Sequence, residues 1–378
     1  MKLYGTKTCG YGRAVAPSQG TEQRARLLPA CTGAIKVMSM KHLHSIMAAF
    51  SFLTLSISSA EAKLRVADRL KLGGDGGWDC LTFAPKSNRL YVARGDRVLV
   101  VDTATGKLVD EIKGLDGAHG VAIVDEHNRG FASSGKTNEL FVFDLKTDKI
   151  EVKLKTGENP DIVHYDEASK KVLVFNGKSK DVTVVDPASL KTSGPIALGG
   201  KPEFAAGDGK GRIFVNLEDT SETVELELRE MKVTRRFSLK PCEEPTGLAF
   251  DASSSHLIAA CGNKMIVVLD AKSGKVLQTL PAGEGMDGLA YDSGREMVFA
   301  TAGEGELIVL KKEKSGLFKN EEKLKTMKGA RTLALDEKGR RLFTPTAELG
   351  PTPAPAAPGA RVRPPILPDT FVVLVVAP

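Results

Sequence analysis

Residues 78–117 read WDCLTFAPKSNRLYVARGDRVLVVDTATGKLVDEIKGLDG, four short β-patterned runs separated by turn residues. The cluster APKSN closes the first hairpin, because Asn and Ser side chains bond to nearby backbone and Asn tolerates positive φ. RLYVAR forms the second run. The third, VLVVD (98–102), is almost continuously apolar, as in a strand covered on both faces. Its closing Asp102 and the TATG that follows turn the chain into a polar outer run, KLVDEIK.

The same plan returns to the C-terminal end, and a period of this length signals a repeat architecture. First runs start at Asp79, Gly120, Asp161, Glu203, Thr246, Asp287 and Arg331, spaced by 41, 41, 42, 43, 41 and 44 residues. Second runs follow as RLYVAR, RGFASS, KVLVFN, RIFVNL, HLIAAC, MVFATA and RLFTPT. The repeated Asp102, Asp144, Asp186 and Asp270 at the ends of third runs read as turn caps. The seventh third run is displaced by a Pro- and Ala-rich stretch, residues 346–370, which reads as a projecting or polyproline-like loop because Pro donates nothing to a ladder. FVVLVV (371–376) then supplies the missing run, and no fourth follows. LRVADRLKL (64–72) has the character of an outer strand without three inner ones. Pairing it with the last unit closes a ring of seven four-stranded sheets and leaves no open radial edge. The expected fold is all-β: a seven-bladed β-propeller of antiparallel blades, the last completed by the N-terminal strand.

Charge and leader bound the rest. The 378-residue chain has a formal net charge of +6, yet seven Lys and Arg and only two acids precede Lys63, so the repeat region stands at +1. Such near-neutrality argues against general phosphate binding. Residues 38–62 (MSMKHLHSIMAAFSFLTLSISSAEA) read as a cleaved signal peptide, with a 12-residue apolar core at Ile46–Ile57 and small residues ending near Ala62. That core is too short to span about 30 Å of hydrocarbon as a helix. Residues 1–37 read as a disordered or untranslated leader, and 63–378 as the propeller. The expected location is periplasmic or secreted, with no transmembrane segment and a monomeric chain.

First strands line the channel of such a ring, and the residues that open them surround one mouth. In the repeat alignment one column holds Asp79, Gly120, Asp161, Glu203, Thr246, Asp287 and Arg331. The column before it holds Trp78, His119, Pro160, Pro202, Pro245, Met286 and Ala330. The four acids Asp79, Asp161, Glu203 and Asp287 read first as caps at the strand entries that face channel water opposite Arg331, with no cofactor expected; the alternative is that they offer oxygen ligands to a hard cation such as Ca²⁺. His119 and Arg331 break the symmetry, and Trp78 offers an aromatic wall. Cys242 and Cys261 come close enough across the fifth hairpin for a disulfide, while Cys80 reads as a small core residue and His164 as packing beside the channel. Gly73–Gly77 (GGDGG) lacks the following helix that a phosphate loop requires and reads as a linker into the first blade.

LYVAR (90–94), IFVNL (213–217), VLVFNG (172–177) and VFATAG (298–303) resemble the strand phrase of the YVTN repeats. From about Lys63 onward the chain resembles exported bacterial YVTN-repeat, YncE-like propellers. The resemblance implies a surface or periplasmic binding protein, in one case a DNA-binding one. With no CxxCH, HExxH or G-x-S-x-G pattern present, the expected role is non-enzymatic binding or scaffolding at the channel mouth or the Pro-rich loop. Two alternatives follow: a metal-dependent, lactonase-like hydrolase using the four acids, and a DNA-binding propeller using Lys232, Arg235, Arg236 and Lys240 with Lys311, Lys312 and Lys314.

Overall fold

In the computed structural model, residues 63–354 and 363–378 are described; the stretches read above as leader (1–37) and signal peptide (38–62), and residues 355–362 of the Pro-rich stretch, lie outside them. Seven four-stranded antiparallel sheets follow one another around a ring. Blade 1 runs from Leu81 to Lys113, and blades 2 to 6 begin at Ala118, Pro160, Pro202, Pro245 and Met286. Blade 7 takes Ala334–Asp336, Arg341–Thr346 and Val372–Ala377 from the end of the chain and Arg65–Lys71 from before blade 1. The closing strand pairs Arg65 with Ala377 and Lys71 with Val372.

Burial explains the strand order. Third strands such as Arg97–Asp102 and Glu139–Asp144 have four consecutive buried residues, because neighbouring blades cover both faces. Outer strands such as Lys107–Lys113 bury one residue in seven. Turn chemistry also follows the repeat. Asp102 Oδ1 accepts from Ala104 N at 2.9 Å and Thr105 N at 2.8 Å, and Asp144, Asp186 and Asp270 do the same in their blades. These backbone donors hold the Asp102 and Asp144 carboxyls below the ordinary range.

The lead-in Gly73–Gly77 is clamped from beneath rather than built for an anion. Arg94 Nε donates to Asp75 O at 3.2 Å and Arg97 donates to the same carbonyl at 3.1 Å, with the Arg94 guanidinium 3.7 Å over the Phe371 ring. The Pro-rich insertion joins the second and third strands of blade 7. Its described arms pair back on one another: Leu367 N donates to Glu348 O at 2.9 Å, Gly350 N to Pro365 O at 2.8 Å, and Leu349 bridges Ile366. Second-to-third connections stand on the face where first strands begin, so this ribbon rises beside the channel mouth. No helix among the described residues is long and apolar enough to cross a membrane.

Candidate functional site

Register corrects the sequence alignment of blade 2 by one residue. Ala118 pairs with Ser134 as Pro160 pairs with Asn176, Pro202 with Leu217 and Pro245 with Cys261. His119, not Gly120, therefore stands level with Asp79 and Asp161. Gly120 shares the next position with Gly247 and Gly288. There a Cβ on Gly120 would lie 2.6 Å from Val163 N and 2.7 Å from Asp161 O. The mouth ring is thus Asp79, His119, Asp161, Glu203, Thr246, Asp287 and Arg331, one per blade.

In blades 2 to 6 a bulge turns the ring side chain to the mouth. Pro160 opposes Asn176 but Val163 opposes Val174, so Asp161 and Ile162 face Phe175 alone; blades 2, 4, 5 and 6 repeat the irregularity at the same place. Bulges of this kind re-aim side chains at the rims of β structures. Adjacent blades then pin the backbone. Ser133 Oγ donates to Asp161 O at 2.6 Å, Asn216 Nδ2 to Thr246 O at 3.0 Å and Thr332 Oγ1 to Asp79 O at 2.9 Å.

The ring encloses a cavity of about 660 Å³. His119 Nδ1 lies 2.6 Å from Asp79 Oδ2 and 3.9 Å from Asp161 Oδ1. Arg331 reaches Asp287 at 3.2 Å and Asp79 at 3.4 Å. Lys201 binds Glu203 at 2.8 Å and also Glu218. Acids outnumber cations in the wall: Glu218 and, at the exposed rim, Glu244 and Glu284 add to the ring, while Lys201, Arg331 and Arg363 are the Lys and Arg that share the lining and Lys264 pairs with Glu284 at 2.9 Å from outside it.

The electrostatics record that imbalance. Burial, then the Asp79 charge, lifts Asp161 to about 6. Burial lifts Asp287 to about 7 against the pull of Arg331, and burial with the Asp161 charge raises Glu203 well above the carboxylate range. The hydrogen bond to Asp79 raises His119 despite burial. Cys80, which the sequence suggests as core, also lines the cavity, and burial plus the nearby carboxylates push its thiol up.

Trp78 stands apart from the acids. Its ring packs on Phe371 at 5.7 Å, and Nε1 donates to Gly329 O at 3.3 Å. With Leu349, Pro364 and Ile366 it lines an adjoining, more apolar groove of about 620 Å³, and Arg331 and Arg363 border both spaces. His164 lies deeper in its first strand, where burial lowers its basicity and Nε2 has no hydrogen-bond partner among the described residues. Cys242 and Cys261 are bonded, with Cα atoms 5.4 Å apart. Most of the basic candidates for DNA are engaged by carboxylates or carbonyls of their own or an adjacent blade. Lys232 pairs with Glu230 at 2.7 Å, Arg236 with Glu222 at 3.0 Å, and buried Lys312 with Asp251.

Lys201, Glu218 and Glu244 were missed in the sequence reading, though the repeats carry a signal for them. Two positions before the ring, the blades have Gly77, Gly117, Asn159, Lys201, Glu244, Gly285 and Gly329. Just after the second strand they have Gly95, Gly135, Gly177, Glu218, Gly262, Gly303 and Ala347. Charges in blades 4 and 5 have displaced residues that are otherwise small and turn-forming. Arg363 had no such signal, because it comes from the insertion.

No protein-family model and no curated protein sequence matches the chain. Among solved structures, 1819 chains match it, so the architecture is widely shared and names no chemistry. One is a chain of Kuenenia stuttgartiensis hydrazine synthase, with a TM-score of 0.62 and 14% identity over 71% of this chain and 92% of that one. At that identity the likeness concerns the propeller fold alone.

Proposed function

We propose that this propeller is an exported, non-enzymatic binding protein of the YVTN-repeat kind that takes a positively charged ligand at its channel mouth. The carrying observation is a 660 Å³ cavity whose half-buried acids exceed the cations beside them. Burying carboxylates without compensation is costly, and a cationic guest supplies the missing charge. Export is supported by the signal-like segment 38–62 and by the Cys242–Cys261 bond, since disulfides persist in oxidising compartments. The binding role is supported by Cys80, the thiol in the cavity wall near His119, whose surroundings keep it protonated and so poorly nucleophilic.

Thermal-shift titration with polyamines and quaternary ammonium compounds tests the reading. Stabilisation of the wild type that is lost in the Asp161→Asn, Asp287→Asn double variant is the expected result. A wild type that no cation stabilises, or a variant that responds equally, would overturn it.

A further inference from the structure

We propose that Asp79, His119 and Asp161 form a three-ligand site for one divalent transition-metal ion at the corner of the mouth shared by blades 1, 2 and 3. The inference rests on the cationic-ligand reading above and names the cation. One donor atom from each residue lies within 4.8 Å of the other two. Tetrahedral coordination with metal–nitrogen and metal–oxygen bonds of about 2.0–2.2 Å sets ligand atoms roughly 3.3–3.6 Å apart. The 2.6 Å contact between His119 and Asp79 must therefore open and the wider separations close, each by roughly 1 Å, movements that side-chain rotation supplies.

The distribution of charge selects this corner. Glu203 has Lys201 at 2.8 Å, and Arg331 reaches Asp287 at 3.2 Å and Asp79 Oδ1 at 3.4 Å, which leaves Asp79 Oδ2 to His119. The Asp161 carboxylate accepts no hydrogen bond from any described residue, and its one ion pair among them is His119 at 3.9 Å. It is a carboxylate aimed into the cavity without a donor, beside an imidazole and a second carboxylate. The scaffold is also suited to holding it. Asp161 and His119 sit on bulges of consecutive blades, and the Asp79 and Asp161 carbonyls are pinned by Thr332 and Ser133. Supporting contacts of this sort hold first ligands in place around metals.

The donor set names the class of ion. Ca²⁺ takes all-oxygen ligand sets, whereas an imidazole with two carboxylates suits Zn²⁺ and its first-row neighbours. Three protein ligands leave at least one position open to a molecule entering the cavity. Binding must also displace the proton that His119 and Asp79 share, because the ligating nitrogen must be bare.

Calorimetric titration of the metal-stripped full chain with Zn²⁺ and with Ca²⁺, together with the visible spectrum on adding Co²⁺, tests the assignment. One Zn²⁺ per chain, a heat that changes with the buffer's ionisation enthalpy, and ligand-field bands with Co²⁺ are expected. His119→Asn and Asp161→Asn should each weaken Zn²⁺ binding by roughly tenfold or more, while Asp110→Asn, on the exposed outer strand Lys107–Lys113, leaves it unchanged; circular dichroism checks that each variant is folded. No Zn²⁺ heat, or binding that survives both ligand variants, overturns the metal site. If Zn²⁺ fails while organic cations still stabilise the wild type, the metal inference falls alone. If neither binds, the mouth reading falls with it.

Discussion

Asp161 is a residue whose surroundings are at odds with its charge. Its folded pKa, about 6, stands above the ordinary 3.8. A carboxyl raised in this way favours the fold below its ordinary pKa and loses that contribution as pH rises through the folded value. The ionised form is therefore a burden between about pH 4 and pH 6 and above. Asp161→Asn should melt about 3 °C higher than wild type at neutral pH in metal-free buffer, and the difference should close towards pH 4. A pH-independent difference, measured by differential scanning calorimetry, would remove the desolvation account. At this scale the sequence was partly legible. Repeat alignment singled out Asp79, Asp161, Glu203 and Asp287 because they recur at one phase of the period. It misplaced His119 because a one-residue slip in a bulged strand preserves the apolar pattern on either side while exchanging which side chain faces the mouth.

At the level of elements, strands were legible and the connections between them less so. Val-rich third strands and Asp-capped turns have local causes, so residues 98–102 or 140–144 announce themselves from their own composition. Lys201, Glu218 and Arg363 meet at the mouth only because different connections converge there, and Arg363 arrives from an insertion with no counterpart in other blades. The disulfide is an element-scale feature of the same kind. It ties the connection before blade 5 to the end of that blade's second strand, 19 residues on. Reduction, or Cys242→Ser with Cys261→Ser, should cost about 3 kcal/mol by the entropy of a loop of that size. Urea unfolding with and without reductant measures this, and equal midpoints would assign the bond no stabilising role.

The whole molecule depends on one seam. Leu70 of the closing strand is 5% exposed and packs with Val373 and Val375, strands drawn from opposite ends of the described chain. Leu70→Ala should cost about 2–4 kcal/mol. Because each blade is buried against two neighbours, the expected loss appears as one earlier calorimetric transition of the entire ring. A separate early transition, with the remaining blades melting as before, would show that blade 7 is only loosely coupled to the others.

The seam also sets an order in time. The strand Arg65–Lys71 emerges from the ribosome about 300 residues before Val372–Ala377, the partner it pairs with. Six blades can assemble from consecutive chain, but the seventh waits for residues 372–377. Until then Arg65–Lys71 has no ladder to join, and the flank of blade 1 that blade 7 will cover stays open to water and to other chains. The contact that locks the ring therefore forms only once both of its distant strands are present.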